Sequence, residues 1–384
     1  MIKKYFIILL FIVSSIDFIY AGPGGDSIIL NGYISSMQSI MFDSLNGEFT
    51  NDFLLHNRLN FKAFLGENVI LQAELRNRLF TGDMTESDPE YAHMTGHDQG
   101  WIDMSWNLVD EHSFFLNTTV DRLSLEVRQN QFEAKLGRQR INWGQTFVWN
   151  PNDIFNAYSF FDFDYVEKPG SDAIRLLYYP SFSSVVEAAA AVDHDGHITA
   201  AGLWRFNQFN YDVQFLVGYV KSNDLVAGAG WSGNIGTVSC RGEASYFQPV
   251  KASSDNDSRA LVTIGFDKVL RDNSSAQLQF MFCDDPGDLN DFTGFYTGKL
   301  SAKDLAFSKF TTFGQFTWAA TPLLNLGLSA MWFPDLHGYF TGPSVDYSLA
   351  QNIDFTFLLQ HFNADMPGEK VNITLGFFRF RLSF

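Results

Sequence analysis

The sequence predicts an all-β chain: a transmembrane, antiparallel, up-and-down β-barrel of about 18 strands, within bounds of about 16–20. Three observations carry that expectation. Apolar and polar residues alternate along segment after segment, the period of strands whose two faces meet different surroundings. The chain is 46% hydrophobic and 16% aromatic with 40 phenylalanines, yet no stretch beyond the N-terminus is apolar for long enough to cross a membrane as a helix. In the second half, most long polar connections alternate with tight turns, a parity that a soluble sandwich has no reason to keep.

Taken in order, the chain opens on MIKKYFIILLFIVSSIDFIYAG. Lys3 and Lys4 form a basic start, Tyr5 to Val13 an apolar stretch, and Ser14 to Ala21 a small-residue approach to a cleavage site. Residues 1–21 therefore read as a secretory signal peptide and 22–384 as one barrel domain. Alternating runs follow. Leu59, Phe61, Ala63 and Leu65 oppose Arg58, Asn60 and Lys62, and Leu71, Ala73 and Leu75 oppose Gln72, Glu74, Arg76 and Arg78. Leu123, Leu125 and Val127 oppose Arg122, Ser124, Glu126 and Arg128. Residues 100–130 have room for two strands or three. Later runs centre on 211–219, 260–266, 276–282, 310–318, 324–332 and 353–359. Each is about ten residues, enough for a tilted strand to cross the hydrocarbon layer. Tyr219, Trp318 and Trp332 fall near segment ends, where an interfacial aromatic girdle belongs.

The last segment is GFFRFRLSF. Phe378, Phe380, Leu382 and Phe384 share one face, and Phe377, Arg379, Arg381 and Ser383 the other. A final strand ending on an aromatic resembles the C-terminal assembly signal of bacterial outer-membrane proteins. That resemblance implies a barrel-assembly machinery as partner through the Phe384 strand, and outer-membrane lipids around the wall.

One stretch departs from the alternation: LGRQRINWGQTFVWNPNDIFNA, residues 136–157. Phe132 to Ile141 reads as a strand running outward, placing Arg138 and Arg140 on one face toward the lumen. Gly137 marks a candidate bulge. The long connection 142–169 carries the turn Asn150-Pro151-Asn152-Asp153 and the aromatics Trp143, Phe147, Trp149, Phe155, Tyr158, Phe160 and Phe161, too many for a solvated loop. It is expected to fold back into the barrel as a restriction element, with Trp143, Trp149, Asn150, Pro151 and Asp153 as its marker residues. Gly137-Arg138-Gln139-Arg140-Ile141, Trp143-Gly144, Pro151, Asp153-Ile154 and Asn156 together resemble the G-R-Q-x-I-x-W-G…P-x-D-I-x-N pattern of Gram-negative porin-like families, including those of alginate-export type. The resemblance covers about twenty residues plus the barrel layout, and implies an outer-membrane location, short periplasmic turns and long outer loops. In the alginate exporters a basic lumen guides an anionic polysaccharide; no further stretch matches them, so their substrate is not carried over.

Basic residues gather on the polar faces of the early strands: Arg58, Arg76, Arg78, Arg122, Arg128, Lys135, Arg138 and Arg140, with Arg379 and Arg381 joining if the last strand closes beside the first. Such a wall favours anions in a pore, unless the interleaved Glu74, Glu126, Glu133, Asp103 and Asp121 neutralise it. A formal charge of −17 argues against nucleic acid. The two cysteines, Cys240 and Cys283, are too few for a disulfide framework. Asp193-His194-Asp195-Gly196 and the acidic run Asp284, Asp285, Asp288, Asp291 read as solvated turns, with too few ligands in register for an EF-hand. No H-E-x-x-H or G-x-S-x-G spacing occurs. The expectation is a passive channel for small hydrophilic solutes, anions among them, with no catalytic residues, cofactor or metal. Rival readings are a barrel hydrolase assembled from distant residues and an adhesion or assembly barrel using its long loops. A homo-oligomer is compatible with the sequence, which shows no interface signal.

Overall fold

The computed structural model describes residues 19–21, 27–44, 47–158, 160–161, 163, 167–251, 257–286, 300–366 and 369–384. The expected leader lies outside the described residues, apart from the backbone of Ile19–Ala21, which pairs with Ser27 to Ile29. Asp288 and Asp291 of the acidic run also lie outside them.

The chain forms a closed antiparallel barrel of 18 strands. The first half holds β1 (Ser27–Phe42), β2 (Thr50–Leu65), β3 (Val69–Gly82), β4 (Phe114–Gln129), β5 (Phe132–Gln139), β6 (Ser171–Ser181), β7 (Ser184–Val192), β8 (Ile198–Gln208) and β9 (Tyr211–Val220). The second holds β10 (Asp224–Ile235), β11 (Val238–Pro249), β12 (Arg259–Val269), β13 (Ser275–Cys283), β14 (Phe310–Thr321), β15 (Leu324–Phe333), β16 (Gly338–Ala350), β17 (Ile353–Met366) and β18 (Glu369–Ser383). Each strand pairs with its sequence neighbours, because a membrane leaves no water to satisfy an unpaired sheet edge. The seam is closed by β18 on β1: the Gly32 amide donates to the Phe384 carbonyl at 2.9 Å, and the Phe384 amide returns a bond at 3.0 Å.

The alternation decides which face is which. Leu123, Leu125, Leu136, Ile174, Val217, Leu328, Phe378 and Phe380 are exposed and point outward to lipid. Their neighbours in the strands, such as Glu126, Glu187, Gln214 and Glu243, are buried and point into the lumen. Cys240 and Cys283 are both buried and free. The wall is uneven in height: β1 to β4 run to 14 or 16 residues, whereas β5 has 8 and β7 has 9. The short loops 193–197 and 221–223 sit on the low side.

Residues 100–130 contain one barrel strand and one accessory strand. After two short helices, α1 (Asp83–Ser87) and α2 (Tyr91–Gly96), residues Ser105–Glu111 pair with the upper part of β4. They occupy the slot that β5 vacates, since β5 pairs only with the lower part of β4, from Leu123 to Gln129. Ser105 and Asn107 turn inward, where Ser105 bonds Thr119 and Asn107 bonds Asn117; Trp106 and Leu108 stay exposed outward.

The strand predicted over 132–141 ends at Gln139, and this changes the placement of its arginines. Arg138 shares the outward register of Phe132, Ala134 and Leu136, so its guanidinium leaves the lumen. It lies beneath residues 98–104, 3% exposed, bonded to Asp172 at 2.8 and 2.9 Å, Asp98 at 2.7 Å and the Ile102 carbonyl at 2.6 Å. It seals the wall where β5 turns inward. Arg140, past the strand end, follows the chain into the lumen. The two are therefore not brought together.

A side chain at Gly32 would meet the Arg58 carbonyl oxygen at 2.1 Å. Gly32→Val should lower barrel stability by about 1–3 kcal/mol, the usual penalty for overpacking a rigid site, read as a lower urea midpoint and less heat-modifiable folded band on gels.

Candidate functional site

The described residues of the 140–170 stretch, 140–158, 160–161, 163 and 167–170, lie against the inner face of the barrel. Gly137 takes φ +107°, a conformation other residues avoid, where the strand ends. Gln139, wholly buried, donates to the carbonyls of Lys135 and Ala173 at 3.1 Å, replacing ladder bonds lost as the chain leaves the sheet. The Ile141 amide donates to Asn156 Oδ1 at 2.8 Å, and Asn156 Nδ2 donates to Ser171 Oγ at 2.9 Å, tying the start of the loop to its end.

The outgoing limb, 141–152, is held by inward-facing side chains of β7 to β13. Trp143 Nε1 donates to Glu187 at 2.6 Å, and Gln214 Nε2 donates to the Trp143 carbonyl at 2.7 Å. Glu243 accepts from the amides of Gln145, Thr146 (2.7 Å) and Asn152 (2.9 Å) and from the Thr146 hydroxyl at 3.1 Å. Gln279 accepts from the Val148 amide at 2.9 Å and donates to the Trp149 carbonyl at 3.1 Å. The Asn150-Pro151-Asn152 turn enters a notch in β10. A Cβ at Gly228 would stand 2.5 Å from Asn152 Oδ1, and one at Gly230 3.0 Å from Asn152 Nδ2. Asn152 donates to the Ala229 carbonyl at 3.0 Å, and Ser245 donates to Asn152 Oδ1 at 2.7 Å and to the Pro151 carbonyl at 2.9 Å.

The tip packs on an apolar cluster inside the barrel. Phe160 meets Phe313 at 5.2 Å between centroids, Phe161 meets Phe340 at 5.1 Å, and Phe307 and Phe333, 4.6 Å apart, continue it with Phe362 and Met331. The returning limb reaches β18, β1, β2 and β4. Phe163 lies 5.3 Å from Phe377 and under the Arg379 guanidinium at 4.4 Å. Tyr33 donates to Glu167 at 3.1 Å, and Arg122 donates to the carbonyls of Glu167 and Lys168 at 3.1 and 2.6 Å. The described parts of the loop thus form a belt against the inner wall.

Most of the arginines expected to form a basic wall are compensated by carboxylates beside them. Arg58, 1% exposed, forks between Asp121 and Glu74, and Arg76 stands 3.4 Å from Asp121. Asp121 reaches them through a bulge in β4 that shifts its pairing with β3 between Glu74 and Leu75. Arg78 donates to Asn117 and the Thr95 carbonyl, both at 3.0 Å. Lower down, Arg128 pairs with Glu126 and Glu133, and Lys135 lies 3.7 Å from Glu126. Arg140 is 3.4 Å from Asp153, and both it and Lys168 lie against the Tyr158 ring. Arg381 stacks on Tyr33 at 3.8 Å and makes no ion pair among the described residues. With Arg379 it lines a cavity of about 280 Å³ near the turn end, shared with Asn325, Asp346, Asp354 and Thr356.

Burial pushes the Asp153 carboxyl up to about 6, against the pull of Arg140 and Lys168. The buried polar side chains Glu187, Gln214, Glu243, Ser245 and Gln279 were not singled out from sequence. Each is a polar residue at an inward position, the same pattern as a residue that merely lines water.

No family model matches the sequence, and no curated protein does. Solved structures do. OccAB3 of Acinetobacter baumannii aligns over 92% of this chain and 99% of its own with TM-score 0.61 at 9% identity. OpdQ of Pseudomonas aeruginosa aligns over 93% and 98% with TM-score 0.60 at 6% identity. OccK11 (OpdR) of the same species aligns over 96% and 100% with TM-score 0.58 at 8% identity. These are Occ/Opd outer-membrane porins. The fold is that of an outer-membrane porin. At this identity the likeness is one of architecture, and the porin barrel is matched along almost its whole length.

Asp153 gives a pH test. Its pKa in the docked loop lies above the ordinary 3.8, so proton uptake favours docking. That contribution is complete below about pH 4, is lost as pH rises to about 6, and amounts to at most about 3 kcal/mol. Amides of residues 141–156 should exchange more slowly at pH 5 than at pH 7.5 after correction for intrinsic rates. Asp153→Asn should flatten the difference.

Proposed function

We propose that the chain is an outer-membrane channel through which small hydrophilic solutes diffuse passively, anions preferred, with residues 1–21 removed on export and the Phe384 strand presented to the barrel-assembly machinery. The observation that carries this reading is the belt: a long loop laid against the inner wall of an 18-strand barrel, narrowing the lumen, with no separate plug domain among the described residues. Solute would move down its own gradient, with no bond made or broken.

Selectivity is assigned to the cations whose charge is least cancelled. A paired, desolvated arginine projects little field, because its carboxylate lies within hydrogen-bond distance. On that ground Arg58, Arg76, Arg138 and Arg140 support the wall and the belt, whereas Arg381 near the turn end, stacked on Tyr33 and with no ion pair among the described residues, acts on the passing ion. Rings of such residues favour anions. Asp346 and Asp354 share the Arg379 and Arg381 cavity, so the field there runs across the passage.

Planar-bilayer conductance of the refolded protein under a salt gradient tests both levels. Discrete steps with an anion-selective reversal potential are expected. Arg381→Gln should reduce the anion-to-cation permeability ratio by about twofold or more. Absence of steps in folded protein sinks the channel itself; steps without selectivity sink only the assignment of the arginines. Arg138→Gln should leave selectivity alone while lowering stability by about 3–5 kcal/mol, since Asp98 and Asp172 would stay buried without their cation.

A further inference from the structure

We infer that Glu243 is a positioning residue of the constriction: its carboxylate fixes the belt to the wall, and the aperture is set by that attachment. This rests on the proposed channel reading and adds to it the point from which the narrowing is held.

Three features of the site support this. Glu243 is fully buried on β11 and spends both oxygens on the belt: Oε1 accepts from the amides of Gln145 and Thr146 and the Thr146 hydroxyl, while Oε2 accepts from the Asn152 amide. No cation is paired with it among the described residues, so its hydrogen bonds are made to the loop alone. It gathers donors seven residues apart in sequence, from 145 to 152, and so bends the limb into a compact turn rather than touching it at a point. Its cross-strand partners are shaped for the same task. Gly230 lies opposite on β10 and leaves space for Asn152, and Thr263 lies opposite on β12, its hydroxyl 3.3 Å from that of Thr146.

The turn held in this way carries the residues that narrow the lumen. Asp153 follows Asn152 directly and pairs with Arg140 at 3.4 Å; Asn150 Nδ2 donates to the Tyr158 hydroxyl at 3.4 Å, and Tyr158 carries the stacked Arg140 and Lys168. Releasing Glu243 frees the Asn150–Asp153 turn, and with it the seat of that cationic pair. Gln214 holds the limb at Trp143 and Gln145, and Gln279 holds it from Phe147 to Trp149, but neither bonds the Asn152 amide that Glu243 clasps.

The experiment is single-channel recording on Glu243→Ala, Glu243→Gln and Glu243→Asp in the full-length refolded protein, with heat-modifiable mobility as the folding control and hydrogen exchange over 141–156 in parallel. Glu243→Ala should raise conductance by about twofold or more, add open-channel noise and speed exchange at the Thr146 and Asn152 amides. Glu243→Asp should recover part of each change, and Glu243→Gln less, because its amide donor faces amide donors. If Glu243→Ala does not fold, Asn152→Ala, which empties the β10 notch while leaving the carboxylate in place, should shift the same readouts in the same direction. Folded Glu243→Ala with wild-type conductance overturns the inference, whether or not exchange quickens, since a freed loop that leaves conductance unchanged does not set the aperture. Unchanged exchange overturns it too. If the wild type shows no conductance the channel reading fails, and the exchange data alone still decide whether Glu243 holds the belt.

Discussion

A chain that turns inward from a barrel wall carries its peptide groups with it, and each must find a partner away from bulk water. That constraint shapes the interior of this molecule. Leaving one buried amide unpaired costs about 1–3 kcal/mol, so a belt of this length holds its place only if the wall supplies acceptors and donors at fixed points. Glu187, Gln214, Glu243, Ser245 and Gln279 do so on one side. On the other side, where Phe313, Phe340 and Phe362 face inward, the belt presents phenylalanines instead. Polar bonding and apolar packing thus divide the inner circumference between them.

The same economy explains how the inward arginines are paired. Carboxylates and guanidiniums buried side by side are expensive to desolvate, and removing one member of a pair is worse than never having had it. Arg58, Arg76, Asp121 and Glu74 form a self-consistent set because a bulge turns Asp121 inward between the two arginines. The group stiffens the tall side of the barrel and gives the returning limb, through Tyr33 and Glu167, something rigid to rest on.

The barrel was legible in the sequence because lipid on one side and lumen on the other impose a period of two that little else sustains. Leu123, Leu125 and Val127 against Ser124 and Glu126 follow that rule, as do Phe378 and Phe380 against Phe377 and Arg379. Three things were not legible. The accessory strand Ser105–Glu111 pairs above β5 rather than beside it, an arrangement that leaves no mark in periodicity. The inward phenylalanines lie on strands already apolar outside, so both faces read alike. Arg138 and Arg140 are two apart, but the strand ends between them, and a two-residue spacing fixes a common face only while the strand lasts.

Leaving the wall from partway up a strand, rather than from its top, has a geometric consequence. It opens a window in the side of the cylinder, and here residues 98–111 close it, clasped by Arg138. The inner belt and this outer patch are therefore complementary halves of one construction, although some thirty residues and a full strand separate them in the chain. A relative that shortened the belt back into a plain loop would have a redundant patch, and one that lost the patch while keeping the belt would leak sideways into the bilayer. The two lengths are expected to change together through descent, as a door and its frame do.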